Sequence, residues 1–253
     1  MSASTAARPV CLTIGGSDSC GGAGIQADLR VFETFGVHGC SAITALTAQN
    51  PRDIGRVESV ALVQLDAEMH SIFDYYDVAV VKTGMLVDAE HAALVSGLLS
   101  QLHTGPLVVD PVILSSSGTL LLGDGGVDAL LGGMTPQAGV VTPNLDEADV
   151  LLGKDLGYAH KHPVNTAKAL RELMGCAVLL KGGHADTTTL LDVLCDGDGS
   201  IHRFTHARQH WSAGQRHGTG CRLASAVAAE LAHQRPLAEA VDAAIIYLQE
   251  SEA

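Results

Sequence analysis

Two kinds of apolar pattern alternate along this chain. Short continuous apolar runs at 10–15, 78–81, 107–110, 139–141 and 177–180 read as strands covered on both faces, and 39–46 is a further strand. Between them, apolar residues recur at helical spacing. In 27–35, Leu29, Phe32 and Phe35 fall on one side, and 65–72, 89–102, 127–131, 145–152 and 164–174 read as helices too. Segments 190–195 and 200–204 flank Asp196-Gly-Asp-Gly199 and read as a hairpin. An alanine-rich helix runs to about His233, and a last helix starts after Pro236. Strands alternating with helices imply an α/β fold with a mostly parallel sheet. In such sheets ligands bind beyond the carboxyl ends of the strands. The glycine-rich and polar segments of this chain follow predicted strands, so they converge on one edge. Neither a linker nor a repeat interrupts the pattern. It predicts a flexible tail over 1–8 and a single domain over 9–253.

Composition narrows the function. Of 253 residues, 15 are Lys or Arg and 28 are Asp or Glu, a net charge of −13. With a pI near 5.2, the chain lacks the basic face that nucleic acid or an anionic membrane surface requires. Hydrophobic residues make up 47% but aromatics only 4%, so the core is built from Ala, Val, Leu and Gly. The 28 glycines follow no G-x-y period, which excludes collagen. No apolar run reaches the length of a membrane span, and the first eight residues carry no apolar signal segment. Cysteines at 11, 20, 40, 176, 195 and 221 form no C-x-x-C pair. Free thiols, no zinc site and a cytoplasmic location are the expectation.

Several segments carry chemistry. His217-Gly218-Thr219-Gly220-Cys221 precedes a helix. Glycines admit an anion to the backbone, and a helix N-terminus supplies amide donors and partial positive charge. Cys221 falls in the first turn, where the dipole lowers a thiol pKa. An ordinary loop with a buried cysteine is the alternative. The second segment, Gly15 to Gly24, fits neither G-x-G-x-x-G nor the Walker A pattern. It still suits a small-molecule pocket, with Asp28 contributing a carboxylate, or a tight turn with Asp18 or Ser19 as a cap. Gln49 offers a donor and an acceptor to a heterocycle, and Met85 a soft surface for a flat ring. Asp110 and Glu147 follow neighbouring strands and suit a magnesium ion held through water. Capping is the alternative role for these carboxylates, and it is the preferred reading for Asp146. Lys181, in Lys181-Gly-Gly-His184, offsets phosphate charge or faces solvent.

Together the segments TIGGSDSCGGAGIQADL, HGCSAITALTAQN, KTGML, DPVILSSSG, VTPNLDEADVLL, LLKGGH and HGTGC resemble the hydroxymethylpyrimidine/phosphomethylpyrimidine kinases of thiamine biosynthesis. That family is ribokinase-like, and the resemblance runs from about Cys11 to Leu231. It implies a three-layer α/β/α sandwich, usually a homodimer, using ATP and Mg²⁺. It puts the pyrimidine near Gly16, Ala23, Thr47, Met85 and Val112, with Gln49 on the aminopyrimidine edge and Asp28 as a further pocket candidate. Gly218, Thr219, Gly220 and Cys221 become the catalytic anion hole, with Cys221 as base or transition-state partner. Lys181, Asn144, Asp110 and Glu147 go to the ATP side, and Asp110 and Glu147 organise the metal.

The chain departs from the family pattern at Gln215-Arg216, where Asn-Thr is usual, and at Arg222, where Thr is usual. Members often carry a further C-terminal segment. Three readings compete. A pyridoxine/pyridoxal kinase shares the fold and the chemistry. A non-catalytic pyrimidine-binding protein would account for Arg222. A nicotinamide-dependent Rossmann enzyme fails on its glycine pattern.

Overall fold

The computed structural model describes residues 8–114, 120–183, 188–209, 212 and 217–251. Nine strands of these residues form one sheet in the order β3-β2-β1-β4-β5-β6-β7-β8-β9. They are β1 (Val10–Asp18), β2 (His38–Asn50), β3 (Asp53–Ser59), β4 (Val78–Thr83), β5 (Leu107–Val109), β6 (Val140–Val141), β7 (Ala177–Leu180), β8 (Thr189–Cys195) and β9 (Ile201–Ala207). Six central strands, β2-β1-β4-β5-β6-β7, pair in parallel. β3 adds antiparallel at one edge, and β8 and β9 at the other.

The continuous apolar runs follow from having helices on both faces. Successive strand residues point to opposite sides. Cys11, Val80, Val108, Val140 and Leu179 pack on one side with Leu223, Val227 and Val241. Those residues belong to α8 (Thr219–Ala232) and α9 (Leu237–Glu250), which share this face with α1 (Gly24–Thr34). Their immediate neighbours Leu12, Val81, Val109, Val141 and Leu180 pack on the other side with Leu65, Val95, Leu145 and Leu170. These come from α2 (Leu62–Phe73), α3 (Ala89–Leu102), α5 (Leu145–Leu151) and α7 (Pro163–Met174). Two short helices, α4 (Gly126–Ala129) and α6 (Tyr158–Lys161), complete the set.

The structure corrects several boundaries. β1 passes through Gly15 and Gly16 to Asp18, with a register shift against β2 between Gly15 and Ser17. β2 reaches Asn50, so Thr47 and Gln49 lie in the strand rather than after it. β3 was not expected, because its DIGRVES sequence buries no residue, and pairing with β2 holds it. The helix expected at 127–131 is one turn at Gly126–Ala129, followed by a π-helical turn at Leu130–Met134 and a 3-10 turn at Thr135–Gln137. Of the expected tail, residues 1–7 lie outside the described residues. Arg8 is anchored: its guanidinium donates to the Gly36 carbonyl at 3.0 Å and the Val37 carbonyl at 2.9 Å. Among the described residues, no helix is long and apolar enough to cross a membrane.

Candidate active site

The phosphate-type loop is built by backbone packing. Gly218 caps α8 with φ +80°, and a Cβ there would overlap the Gly22 carbonyl and Ala23. Gly24 has φ +59°, and a Cβ there would meet the Gly16 carbonyl. Only glycine combines that conformation with such close approach. The glycine segment after β1 therefore folds directly against the start of α8. Asp18 fixes the turn: its carboxylate accepts from the Cys20 amide at 2.9 Å, the Ala23 amide at 2.7 Å and His217 Nε2 at 2.9 Å. Burial would raise this carboxyl, but those bonds outweigh it and hold it at about 2. Asp18 is thus the brace of the turn, and the N-cap of α1 is Ala23.

Cys221 lies in the first turn of α8, and the Gly24 amide faces its sulfur. The expected lowering of its pKa is not what the surroundings produce. Desolvation pushes the thiol up to about 11, and Lys82 offsets only part of this against Asp110 and Asp28. Arg222, the next residue, is half-buried near Tyr247 of α9.

The residues assigned to the pyrimidine line the adjoining strand ends. Gly16 is buried, and a Cβ on it would stand 2.6 Å from Met85 Cε. Thr44 Oγ1 donates to the Met85 carbonyl at 2.6 Å, fixing that residue's backbone. Thr47 Oγ1 donates to the Ser17 carbonyl at 2.9 Å. The Gln49 backbone exchanges two 3.0 Å bonds with the Ser19 hydroxyl. Val112 has φ +44°, a strained conformation for a β-branched residue and one that concentrates at functional sites.

Asp28 lies elsewhere than on the pocket wall. It is 1% exposed. Its carboxylate accepts from Thr13 Oγ1 at 2.6 Å, Lys82 Nζ at 2.8 Å and Ser225 Oγ at 2.7 Å. With both oxygens engaged inside the core, it supports the site from beneath.

The expected ATP side gathers at the ends of β5, β6 and β7. Lys181 Nζ donates to Asp110 Oδ1 at 2.8 Å, and a Cβ on Gly220 would lie 3.2 Å from the same Nζ. Lys181 is buried here rather than facing solvent. Asn144 and Glu147 form a reciprocal capping box at the start of α5. Glu147 also accepts from the Ile113 amide at 3.2 Å, next to strained Val112. Burial raises the Glu147 carboxyl, Lys181 opposes this and Asp110 adds to it. Two buried carboxyl groups thus face one ammonium, a hard-oxygen set of the kind that fits a divalent cation.

The sequence left several supporting residues unassigned. Thr13 and Lys82 open two of the motif segments without an assigned role, Ser225 lies outside them, and the three surround Asp28 only in the fold. Asp192 accepts from the Gly182 amide at 2.5 Å and from His206 at 3.1 Å, and His206 in turn meets Gln249 of α9 at 3.1 Å. The Asn-x-x-Glu spacing of the capping box was legible. His184, Gln215, Arg216 and Ser115 to Gly118 lie outside the described residues.

The comparisons agree with this architecture. A family model described as phosphomethylpyrimidine kinase matches residues 18–253. This chain belongs to the phosphomethylpyrimidine kinase family. A hydroxymethylpyrimidine/phosphomethylpyrimidine kinase of Rhizobium meliloti is 42% identical over 239 residues, covering 94% of this chain and 88% of that one. The crystal structure of a phosphomethylpyrimidine kinase from Clostridium difficile superposes with a TM-score of 0.83 at 33% identity, covering 96% of this chain and 99% of that one. A Bacillus subtilis pyridoxal kinase, solved as an ADP complex, gives 0.85 at 31% identity, covering 95% and 90%. The fold is the ribokinase-like α/β fold of these kinases. For a phosphomethylpyrimidine kinase, the loop at 218–221 and the pair Asp110–Lys181 are the parts to test first.

Proposed function

We propose that this protein transfers a phosphoryl group from ATP to 4-amino-5-hydroxymethyl-2-methylpyrimidine, and then to the resulting monophosphate, in thiamine biosynthesis. The observation that carries the reading is the close approach of Lys181, paired with Asp110, to Gly220 at the start of α8. That approach puts a buried cation beside a glycine-lined helix start, where phosphoryl oxygens collect negative charge. The substrate hydroxymethyl oxygen attacks the γ-phosphorus, the bond to the bridging oxygen breaks, ADP leaves, and the hydroxyl proton passes to solvent or a phosphate oxygen. Gly218, Thr219 and Gly220 present backbone amides to the phosphoryl oxygens. Cys221, protonated at neutral pH, acts as a hydrogen-bond partner of the transition state rather than as a base. Gln49, Met85, Gly16, Ala23, Thr47 and Val112 surround the pyrimidine, while Lys181 and Asn144 face the nucleotide. Asp110 and Glu147 would hold Mg²⁺ through water, and that ion would neutralise phosphate charge. The reading includes a homodimer in the cytoplasm, which sedimentation would report as twice 26.1 kDa.

The test is ADP release with the hydroxymethylpyrimidine, its monophosphate or pyridoxal, for the natural protein and Cys221→Ala. Pyrimidine-dependent turnover that falls about 100-fold or more in the variant is expected. Turnover on pyridoxal alone would move the acceptor to the pyridoxal class, which the Bacillus relative makes the second reading. Absence of turnover in a folded protein would leave pyrimidine binding without catalysis.

A further inference from the structure

The fold brings together three residues that the linear sequence separates. Asp18 ends β1, Cys20 follows in the turn, and His217 stands 199 residues beyond Asp18, just before α8. One carboxylate oxygen, one thiol sulfur and one imidazole nitrogen lie within 4.8 Å of one another. Asp18 Oδ2 is 2.9 Å from His217 Nε2 and 3.5 Å from Cys20 Sγ.

We propose that Asp18, Cys20 and His217 form a binding site for one thiophilic divalent cation of the Zn²⁺ class. Metal–ligand distances of about 2.0–2.3 Å at tetrahedral angles require ligand separations of roughly 3.3–3.6 Å. The Asp18–Cys20 separation of 3.5 Å falls in that range, the Asp18–His217 separation of 2.9 Å lies below it, and all three ligand atoms lie within 4.8 Å of one another, so a cation needs the Asp18–His217 pair to open slightly and Cys20 to turn toward His217. Two of the three ligands are also fixed beforehand. Asp18 is 1% exposed, with its carboxylate tied to two backbone amides. The His217 ring is wedged against Gly22, where a Cβ would stand 2.5 Å from Cδ2. Cys20 is exposed, leaving the fourth position to water. A mixed N, O, S set selects against Mg²⁺, which takes oxygen ligands, so this site is distinct from Asp110 and Glu147.

Binding is balanced simply. The Cys20 thiol gives its proton to solvent and the thiolate sulfur bonds the metal. His217 binds as neutral imidazole through Nε2, with its proton on Nδ1. The Asp18–His217 hydrogen bond is replaced by one bond from each residue to the cation. The result ties the glycine turn after β1 to the residue preceding Gly218.

Cobalt(II) titration of the full chain, purified in chelator, tests this by spectroscopy without a kinase assay. Expected are one equivalent of Co²⁺, tetrahedral visible bands and a near-ultraviolet thiolate-to-metal band, all displaced by Zn²⁺. Cys20→Ser removes the thiolate band and weakens binding beyond the roughly 10–100-fold that loss of a supporting partner costs. Cys221→Ser keeps both. No thiolate band in the natural protein, a band that persists in Cys20→Ser, or one that vanishes only in Cys221→Ser, each overturns the site.

Discussion

Cys221 shows how burial reverses a local expectation. The start of a helix favours a thiolate. Here desolvation dominates, and the thiol is pushed up to about 11 despite Lys82 nearby. It therefore stays protonated at neutral pH and donates rather than accepts. Alkylation of Cys221, followed by peptide mass spectrometry, is expected to rise about tenfold per pH unit up to about 11. Levelling off near the ordinary thiol value of 9.0 would refute that. Gly218 is the other decisive residue. Gly218→Ala meets both a positive φ and the Gly22 carbonyl. It should cost about 1–3 kcal/mol of stability and abolish ADP release. A variant with unchanged denaturant midpoint and turnover would show that the Gly22–Gly218 approach is dispensable. The glycine was readable as a motif, but its contact with Gly22 was not, because that partner is supplied by another loop.

Elements differ in how much of them the sequence reveals. The central strands were legible because helices cover both of their faces, which forces continuous apolar runs. β3 was not, since nearly all its side chains face solvent and only its backbone is engaged. The β8–β9 hairpin carries a further device. Asp192 on β8 bonds the Gly182 amide and also His206 on β9. The hydrogen bond from Asp192 raises the His206 pKa above 6.5, against the effect of burial. A raised folded value means the contribution to stability is complete below 6.5 and is lost as pH climbs through that higher value. The melting-temperature gap between the natural protein and His206→Gln should be widest below pH 6.5 and narrow steadily as pH rises above that value. A gap that does not vary with pH would place the role of His206 in packing alone.

At the scale of the whole molecule, one buried ion pair joins elements that share no sequence neighbourhood. Asp28 of α1 meets Lys82 of β4, Thr13 of β1 and Ser225 of α8. Ser225 stands one helical turn after Cys221, so the cluster lies directly under the candidate catalytic loop. Lys82→Met strands a buried carboxylate and should cost about 3–5 kcal/mol in urea denaturation. Asp28→Asn with Lys82→Met should recover most of that loss, since a neutral pair needs no charge compensation. Additive losses in the double variant would mean that the two residues act independently.

The sequence by itself determined the α/β class, most strand and helix positions, and the glycine and polar segments that mark one edge of the sheet. These are readable because burial periodicity and turn chemistry are properties of neighbouring residues. Tertiary structure alone decided that Asp28 leaves the pocket for the core, that Lys181 meets Asp110, that the Cys221 thiol is desolvated, and that Asp18, Cys20 and His217 converge. Each of those outcomes depends on which atoms from distant segments replace water around a polar group, and that replacement exists only once the layers have packed.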